Sequence, residues 1–128
     1  MSGYLIDIEQ KTLENENFRE VLFTASHSQL VVMSLRPGEE IGLETHDEID
    51  QFIRIEAGTG KALLNGEEKA LADGSAVVIP AGTEHNVINT SQSEALKLYT
   101  IYSPPEHPDR TVHKTKAEAD EYEKEHHG

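Results

Sequence analysis

Short runs of apolar and β-branched residues, alternating with polar ones, occupy most of this chain from Val21 onward, and Gly, Pro, Asn and Asp cut them at close intervals. That pattern predicts many short strands, as in an all-β sandwich or barrel. The runs fall at residues 19–24, 29–35, 41–46, 51–56, 61–64, 69–71, 76–79, 85–89 and 96–102. Between them lie Pro37 with Gly38, Asn65 with Gly66, Asp73 with Gly74, and Pro80 with Gly82, all residues that tolerate tight or left-handed backbone. Asn65 followed by Gly66 between two such runs is a hairpin signal. Before the strands, residues 9–18 are polar and predict a short helix or an irregular arm. After them, Pro104 and Pro105 stop the last strand, because proline cannot donate to a ladder. Residues 115–125 read as a helix, with Thr115 at the N-cap and Glu118 three places on in a capping-box arrangement. Tyr122 is its only large apolar residue, so the helix is expected to be mostly exposed or frayed.

Length and composition narrow the reading. At 128 residues the chain has room for one domain. It is long enough to bury about two thirds of its unfolded surface, so a core needs no staples. The absence of cysteine removes disulfides, thiolate metal sites and thiol nucleophiles, leaving nitrogen and oxygen as the only metal donors. The first residues lack the basic and apolar regions of a signal peptide, and no stretch approaches about 18 apolar residues, which together predict a soluble, cytoplasmic protein away from the membrane. Acidic residues number 24 against 11 basic ones, for a net charge of −13 with Lys and Arg scattered. Nucleic acid and anionic membranes are therefore disfavoured as partners.

Two stretches carry fixed spacings of chemically distinctive residues. Gly74, Pro80, Gly82, His85 and Asn89 fit the pattern Gly-x5-Pro-x-Gly-x2-His-x3-Asn. Gly38, Glu44, His46, Gln51 and Gly58 fit a second pattern with a glycine at each end and three polar side chains between. These resemble the two motifs of the cupin family. The match to Gly74, Pro80, Gly82, His85 and Asn89 has no departure, and at average Gly and Pro frequencies its chance probability in a chain this long is on the order of 10⁻⁵. The other keeps the spacing but changes the residues: where the family usually has His, His and Glu, this chain has Glu, His and Gln.

The spacing itself gives a reason to take the substituted residues as ligands. Residues two apart in a strand share a face about 6.6 Å apart, so Glu44 and His46 project together. Residues 47–50 then form a turn that returns Gln51 opposite His46 on the neighbouring strand. If the barrel closes as in the family, the ring of His85 reaches the same interior point. Glu44, His46, Gln51 and His85 then offer two imidazole nitrogens, a carboxylate oxygen and an amide oxygen, a set that suits one divalent ion of zinc, iron, manganese, nickel or cobalt. On an octahedral ion two positions would stay open for water or substrate, as catalytic sites require. Gln51 has an alternative role as the residue that orients His46 or a metal-bound water.

Other residues enter the reading with smaller parts. The two-residue period places Ile53, Ile55, Val78 and Val87 inside as an apolar lining, with Arg54 outward and only one of Tyr99 and Tyr102 inward. Glu48 and Asp50 are loop carboxylates with a possible role as general base. His107 and His113 flank a Pro-rich segment that either contacts substrate or forms a covering loop. His27 reads as a surface residue, and His126 and His127 as the end of a tail.

The resemblance implies a cupin jelly-roll β-barrel over residues 28–105, preceded by an N-terminal strand and arm at 1–27 and followed by a C-terminal loop and helical tail at 106–128. It also implies a small-molecule ligand and a homodimer, with residues 3–8 as a strand that could be exchanged between subunits. Activity does not follow from the fold, since cupins include isomerases, dioxygenases and non-catalytic binding modules. Zinc phosphomannose isomerases are cupins that look similar in using two His, one Glu and one Gln, although there Gln and Glu hold the opposite motif positions. The resulting expectation is a metal-dependent, isomerase-like enzyme on a sugar-like or carbonyl substrate. The alternatives are an iron dioxygenase-like cupin and a sensor or binding module without catalysis.

Overall fold

The apolar alternation seen in the sequence becomes two facing antiparallel sheets. In the computed structural model, which describes residues 2–126, the chain runs α1 (Ile8–Glu14), β1 (Arg19–Thr24), β2 (Gln29–Leu35), β3 (Asp50–Ala57), β4 (Gly60–Leu64), β5 (Glu67–Leu71), β6 (Ala76–Ile79), β7 (His85–Asn89), β8 (Leu96–Ser103), β9 (Val112–His113) and α2 (Lys116–His126). One sheet has the order β6-β3-β8-β2-β1-β9 and the other β5-β4-β7. This is an all-β jelly roll with a short C-terminal helix, its sheets facing each other rather than closing into one continuous ladder among the described residues.

Inward side chains from both sheets make one core. Val31, Met33, Leu35, Ile53, Ile55, Leu96 and Leu98 come from the larger sheet, and Ala62, Leu71 and Val87 from the smaller. Each fully buried Leu, Ile or Val is worth about 1.5–3 kcal/mol relative to exposure. Between β4 and β5, Asn65 (φ 49°) and Gly66 (φ 81°) both take the left-handed conformation that a two-residue type I′ hairpin demands.

Three expectations change in the sheets and the first segment. Residues 41–46 form no continuous strand; the chain touches β7 only through bridges at Glu40–Ile88 and Glu44–His85. Gly42, at φ 115°, bends it between those bridges and donates its N–H to the Asn86 side chain at 2.8 Å. Val78 is 66% exposed rather than interior. The β3–β6 register pairs Gln51 with Ile79 and Phe52 with Val78, so Ile79 and not Val78 shares the inner face. Residues 3–7 join no ladder; the first element is α1, the short helix expected near residues 9–18, capped by Asp7 and packed over β8, β2 and β3.

Helix α2 is docked rather than frayed. Thr115 Oγ1 accepts from Glu118 N at 3.1 Å, as an N-cap should, while Glu118 Oε1 accepts from Lys114 N at 3.2 Å, one residue before the N–H a capping box would use. Ala119 is buried and the Tyr122 ring meets His113 at 5.3 Å, which gives the helix an apolar footing on β9. No helix among the described residues is long and apolar enough to cross a membrane. The side chain of His126 and all of His127 lie outside the described residues.

Candidate metal centre

Glu44, His46 and His85 converge from two directions. The bridge between Glu44 and His85 is a paired backbone exchange at 2.9 Å in each direction, which locks the two side chains side by side. His46, two residues on, is held by Gly82 N donating to its carbonyl at 2.8 Å. The sharp turn around Gly82 (φ 85°), between β6 and β7, therefore positions both histidines. Their rings lie 5.4 Å apart between centroids. Glu44 Oε1 stands 3.4 Å from His46 Nε2 and 3.6 Å from His85 Nε2, and one ligand atom from each residue lies within 4.8 Å of the others. Donors bound to one ion at about 2.0–2.2 Å sit about 3–3.5 Å apart, so this trio could hold a metal after small adjustment.

The outer nitrogen of each candidate histidine is already occupied. His46 Nδ1 faces Glu106 Oε2 at 3.1 Å, and His85 Nδ1 donates to the Thr83 carbonyl at 2.9 Å. Both arrangements fix the ring with Nε2 pointing inward, the arrangement a metal-bound imidazole requires. The inward atoms His46 Nε2 and His85 Nε2 are buried and make no hydrogen bond, facing Glu44 Oε1 only at 3.4 and 3.6 Å. Buried polar atoms left unpaired cost about 1–3 kcal/mol each, and an ion is one of the groups that relieves them.

Gln51 belongs to the same interior but not by the expected route. Strand β3 sits between β6 and β8, so Gln51 pairs with Ile79 and Tyr102 and is not opposite His46. It shares the inner face with Tyr102, whose ring meets His46 edge-on at 6.2 Å. Its side chain is 3% exposed, Nε2 donates to Thr100 Oγ1 at 3.0 Å, and Oε1 has no partner. Thr100 thus sets the amide so that its oxygen is free.

Charge at the centre follows from these contacts. Burial works to raise the pKa of Glu44, but the adjoining His46 and His85 outweigh it and hold the carboxyl at about 2. Glu106 first, and then Glu44, push His46 up to about 10 against its burial, so the metal-free ring is cationic at neutral pH. Tyr102 is raised by burial and stays a neutral phenol. His107 is lowered to about 3, chiefly by burial and then by Arg19.

Glu106 was not singled out by the sequence, and it arrives through a segment that the barrel clamps. Gln29, buried in β2, donates Nε2 to the His107 carbonyl at 2.7 Å and accepts on Oε1 from His107 N at 3.0 Å and Glu106 N at 3.2 Å. His107 itself packs edge-on against Tyr102 at 5.1 Å, so the Pro-rich segment is an ordered cover. His113 lies farther along, buried in β9 beside Arg19. His27 is exposed in the turn before β2. Beside His46 opens a cleft of about 590 Å³ bordered by Asp47, Glu48, Ile49, Pro104, Pro105 and Glu106. Asp50 is engaged elsewhere, accepting from Ala81 N at 2.9 Å.

Known proteins share this architecture. The chain is 48% identical over 122 residues to the uncharacterized protein YrkC of Bacillus subtilis (strain 168), an alignment covering 91% of this chain and 65% of that protein. It is 50% identical over 109 residues to the uncharacterized protein L612 of Acanthamoeba polyphaga mimivirus, covering 82% of this chain and 68% of the relative. It thus spans only about two thirds of the length of either. The crystal structure of BH2720 from Bacillus halodurans superposes with a TM-score of 0.90 at 44% identity, covering 92% of this chain and 93% of that one. The profile of the Cupin domain matches residues 31–102, and the chain accordingly belongs to the cupin family.

Proposed function

We propose that this cupin binds one divalent metal ion through Glu44, His46, Gln51 and His85 and acts as an isomerase-like enzyme on a small polar, sugar-like or carbonyl compound. One observation carries the reading. His46 Nε2, His85 Nε2 and Gln51 Oε1 are all buried without a hydrogen bond, the two nitrogens facing Glu44 Oε1 at 3.4 and 3.6 Å, while the opposite polar atom of each side chain is held in place. A divalent ion bound there would supply Lewis acidity toward a carbonyl or hydroxyl oxygen. The donor set is compatible with zinc, iron, manganese, nickel or cobalt. Glu44 would cancel one of the ion's two charges, and Glu106, Thr83 and Thr100 would keep the ligands oriented. An isomerisation also needs a group to move a proton, and Glu48, exposed on the rim of the cleft with its carboxylate unengaged by Ala81, is the better placed of the two loop carboxylates.

Metal analysis of protein purified without chelator tests the centre. Glu44→Ala and His85→Ala should each lower metal content at least about tenfold, since even losses outside the ligand shell cost about 10–100-fold in affinity. Gln51→Ala then separates a ligand from an orienting residue by whether metal content falls as far. Unchanged occupancy in the first two variants refutes the assignment. Metal-restored turnover of sugars or hydroxycarbonyl compounds supports the enzyme, whereas ligand-induced stabilisation without turnover makes the chain a binding module.

A second reading rests on the trio that stands closest, two imidazoles and one carboxylate, which is the facial set of iron(II) oxygenases. Oxygen consumption by iron-loaded protein in the presence of a diketone or aromatic diol would favour it. A homodimer completes the proposal, with the β6 edge or the unpaired residues 3–7 available for exchange; sedimentation of the full chain tests it.

A further inference from the structure

The outer face of the larger sheet carries an apolar row that α1 leaves open. The registers line up Val78, Phe52, Ile101, Leu30 and Phe23 across β6, β3, β8, β2 and β1, one outward side chain from each strand. Tyr4 extends the row, its ring stacked on Phe23 at 5.2 Å. Val78 is 66% and Tyr4 44% exposed, and the four between them are half-buried. The neighbouring outward positions, by contrast, lie under the helix: Val32 is fully buried, Lys11 pairs with Glu20 at 3.6 Å, and Lys97 donates to the Asn15 carbonyl.

Charge and area say what fits there. On a chain at −13 this face is neutral, because its charged side chains are engaged within the fold: Arg54 faces Glu56 at 3.6 Å and Asp50 accepts from Ala81 N. Strand β6, which ends the row, is a sheet edge of Ala76, Val77, Val78 and Ile79 with no charge, whereas the edge strand β5 of the other sheet bears Glu67, Glu68 and Lys69. Charged edges resist association, and an uncharged one beside an apolar face favours it. Counting Leu5, 95% exposed beside Tyr4, the row leaves on the order of 500 Å² of apolar surface open, near the upper end for the largest patch on a monomer. In an interface about 60% apolar this corresponds to about 800 Å² from each partner, the usual share in a stable complex. Deepening the homodimer of the reading above, we propose that a second copy of this chain docks face to face on this row, its own row packed against it about a two-fold axis. A second copy brings the same neutral apolar strip, while contact through the acidic remainder of the surface would set like charges together. Gln51 and Tyr102 point to the opposite side of the same strands, so the contact and the metal centre occupy opposite faces of the sheet.

Sedimentation velocity of the full chain over a dilution series tests this, with metal content measured in the same samples. Val78→Glu and Tyr4→Glu lie at the two ends of the row and outside the core, so both variants should fold, as followed by circular dichroism. The unaltered chain should sediment as a dimer, and each variant should weaken association at least about a hundredfold, because each carries an unpaired charge into the contact. Leu43→Glu, equally exposed but off this face, should associate as the unaltered chain does, and metal content should stay the same throughout. A dimer that survives in both row variants overturns the docking face and leaves the homodimer standing. Loosening by Val78→Glu alone moves the contact to the β6 edge, and loosening by Tyr4→Glu alone moves it to an exchanged arm; either result overturns the face. A monomer at all concentrations overturns the homodimer and this inference together, while the metal content reads the centre separately.

Discussion

Metal binding at this centre should be strongly pH-dependent, and the structure gives the sign and slope. In the free protein His46 sits between Glu106 and Glu44 with its pKa raised to about 10, so near neutrality the ring holds a proton that a metal must displace. Glu44, held at about 2, is already ionised and contributes no proton in this range. Below pH 10 one proton should leave for each ion bound, and apparent affinity should rise about tenfold per pH unit. Between pH 6 and 8 that is about 100-fold, or about 2.7 kcal/mol. Competition against a chromophoric zinc chelator at pH 6, 7 and 8 reads the slope, and calorimetry in two buffers of different ionisation enthalpy counts the proton. Glu106→Gln removes the first cause of the raised pKa, so its slope should flatten toward pH 8. Its affinity once His46 is neutral should fall about 10–100-fold, because the ring loses its orienting carboxylate. A wild-type affinity that stays level from pH 6 to 8, with no proton released, refutes the placement of His46 between two carboxylates.

Chelator-treated protein should be most stable near pH 6.5. The raised His46 contributes stability fully below about 6.5 that fades as pH climbs toward 10, and the lowered His107 withdraws stability as pH falls from 6.5 toward 3, with the Glu44 contribution lost below about 4.5 as pH nears 2. Thermal melts across pH 4–9 check this, and a melting temperature that rises steadily to pH 9 is the contrary result. Gln29→Ala removes three hydrogen bonds to the backbone of residues 106 and 107 and should cost about 1.5–4 kcal/mol in urea denaturation, with faster amide exchange at those two positions. Ile79→Ala should cost about 2–5 kcal/mol while Val78→Ala stays within about 0.5 kcal/mol, because only Ile79 faces the core; equal costs would reject the β3–β6 register.

What could be read ahead of the structure was whatever local chemistry decides. Asn65 and Gly66 announce their turn because few residues accept two consecutive positive φ values. The spacing from Gly74 to Asn89 encodes a bend and its anchorage: Asn89 Nδ2 donates to the carbonyls of Leu35, Arg36 and Glu94, tying three segments together. Glu44, His46 and His85 could be grouped because both stretches hold a fixed register. Features that depend on which strands become neighbours stayed hidden. The period of two is equally satisfied by either phase in a run of four apolar residues, so Ala76 to Ile79 did not reveal that Ile79 points inward. Gln51 looked close to His46 along the chain, yet its strand neighbours are β6 and β8. Glu106 carried no signal at all, since its partner His46 lies 60 positions earlier and only the clamp by Gln29 brings them together.

That clamp changes where the working unit ends. The strands alone do not complete the environment of His46, because its outer nitrogen is served by a residue that follows the last long strand and is fastened from below by a single glutamine. A graft or truncation cut after the barrel would keep every side chain facing the ion and still lose the lever that steers one of them. Conversely, swapping the few residues of the strap offers a way to retune the ion's chemistry without disturbing a single ladder.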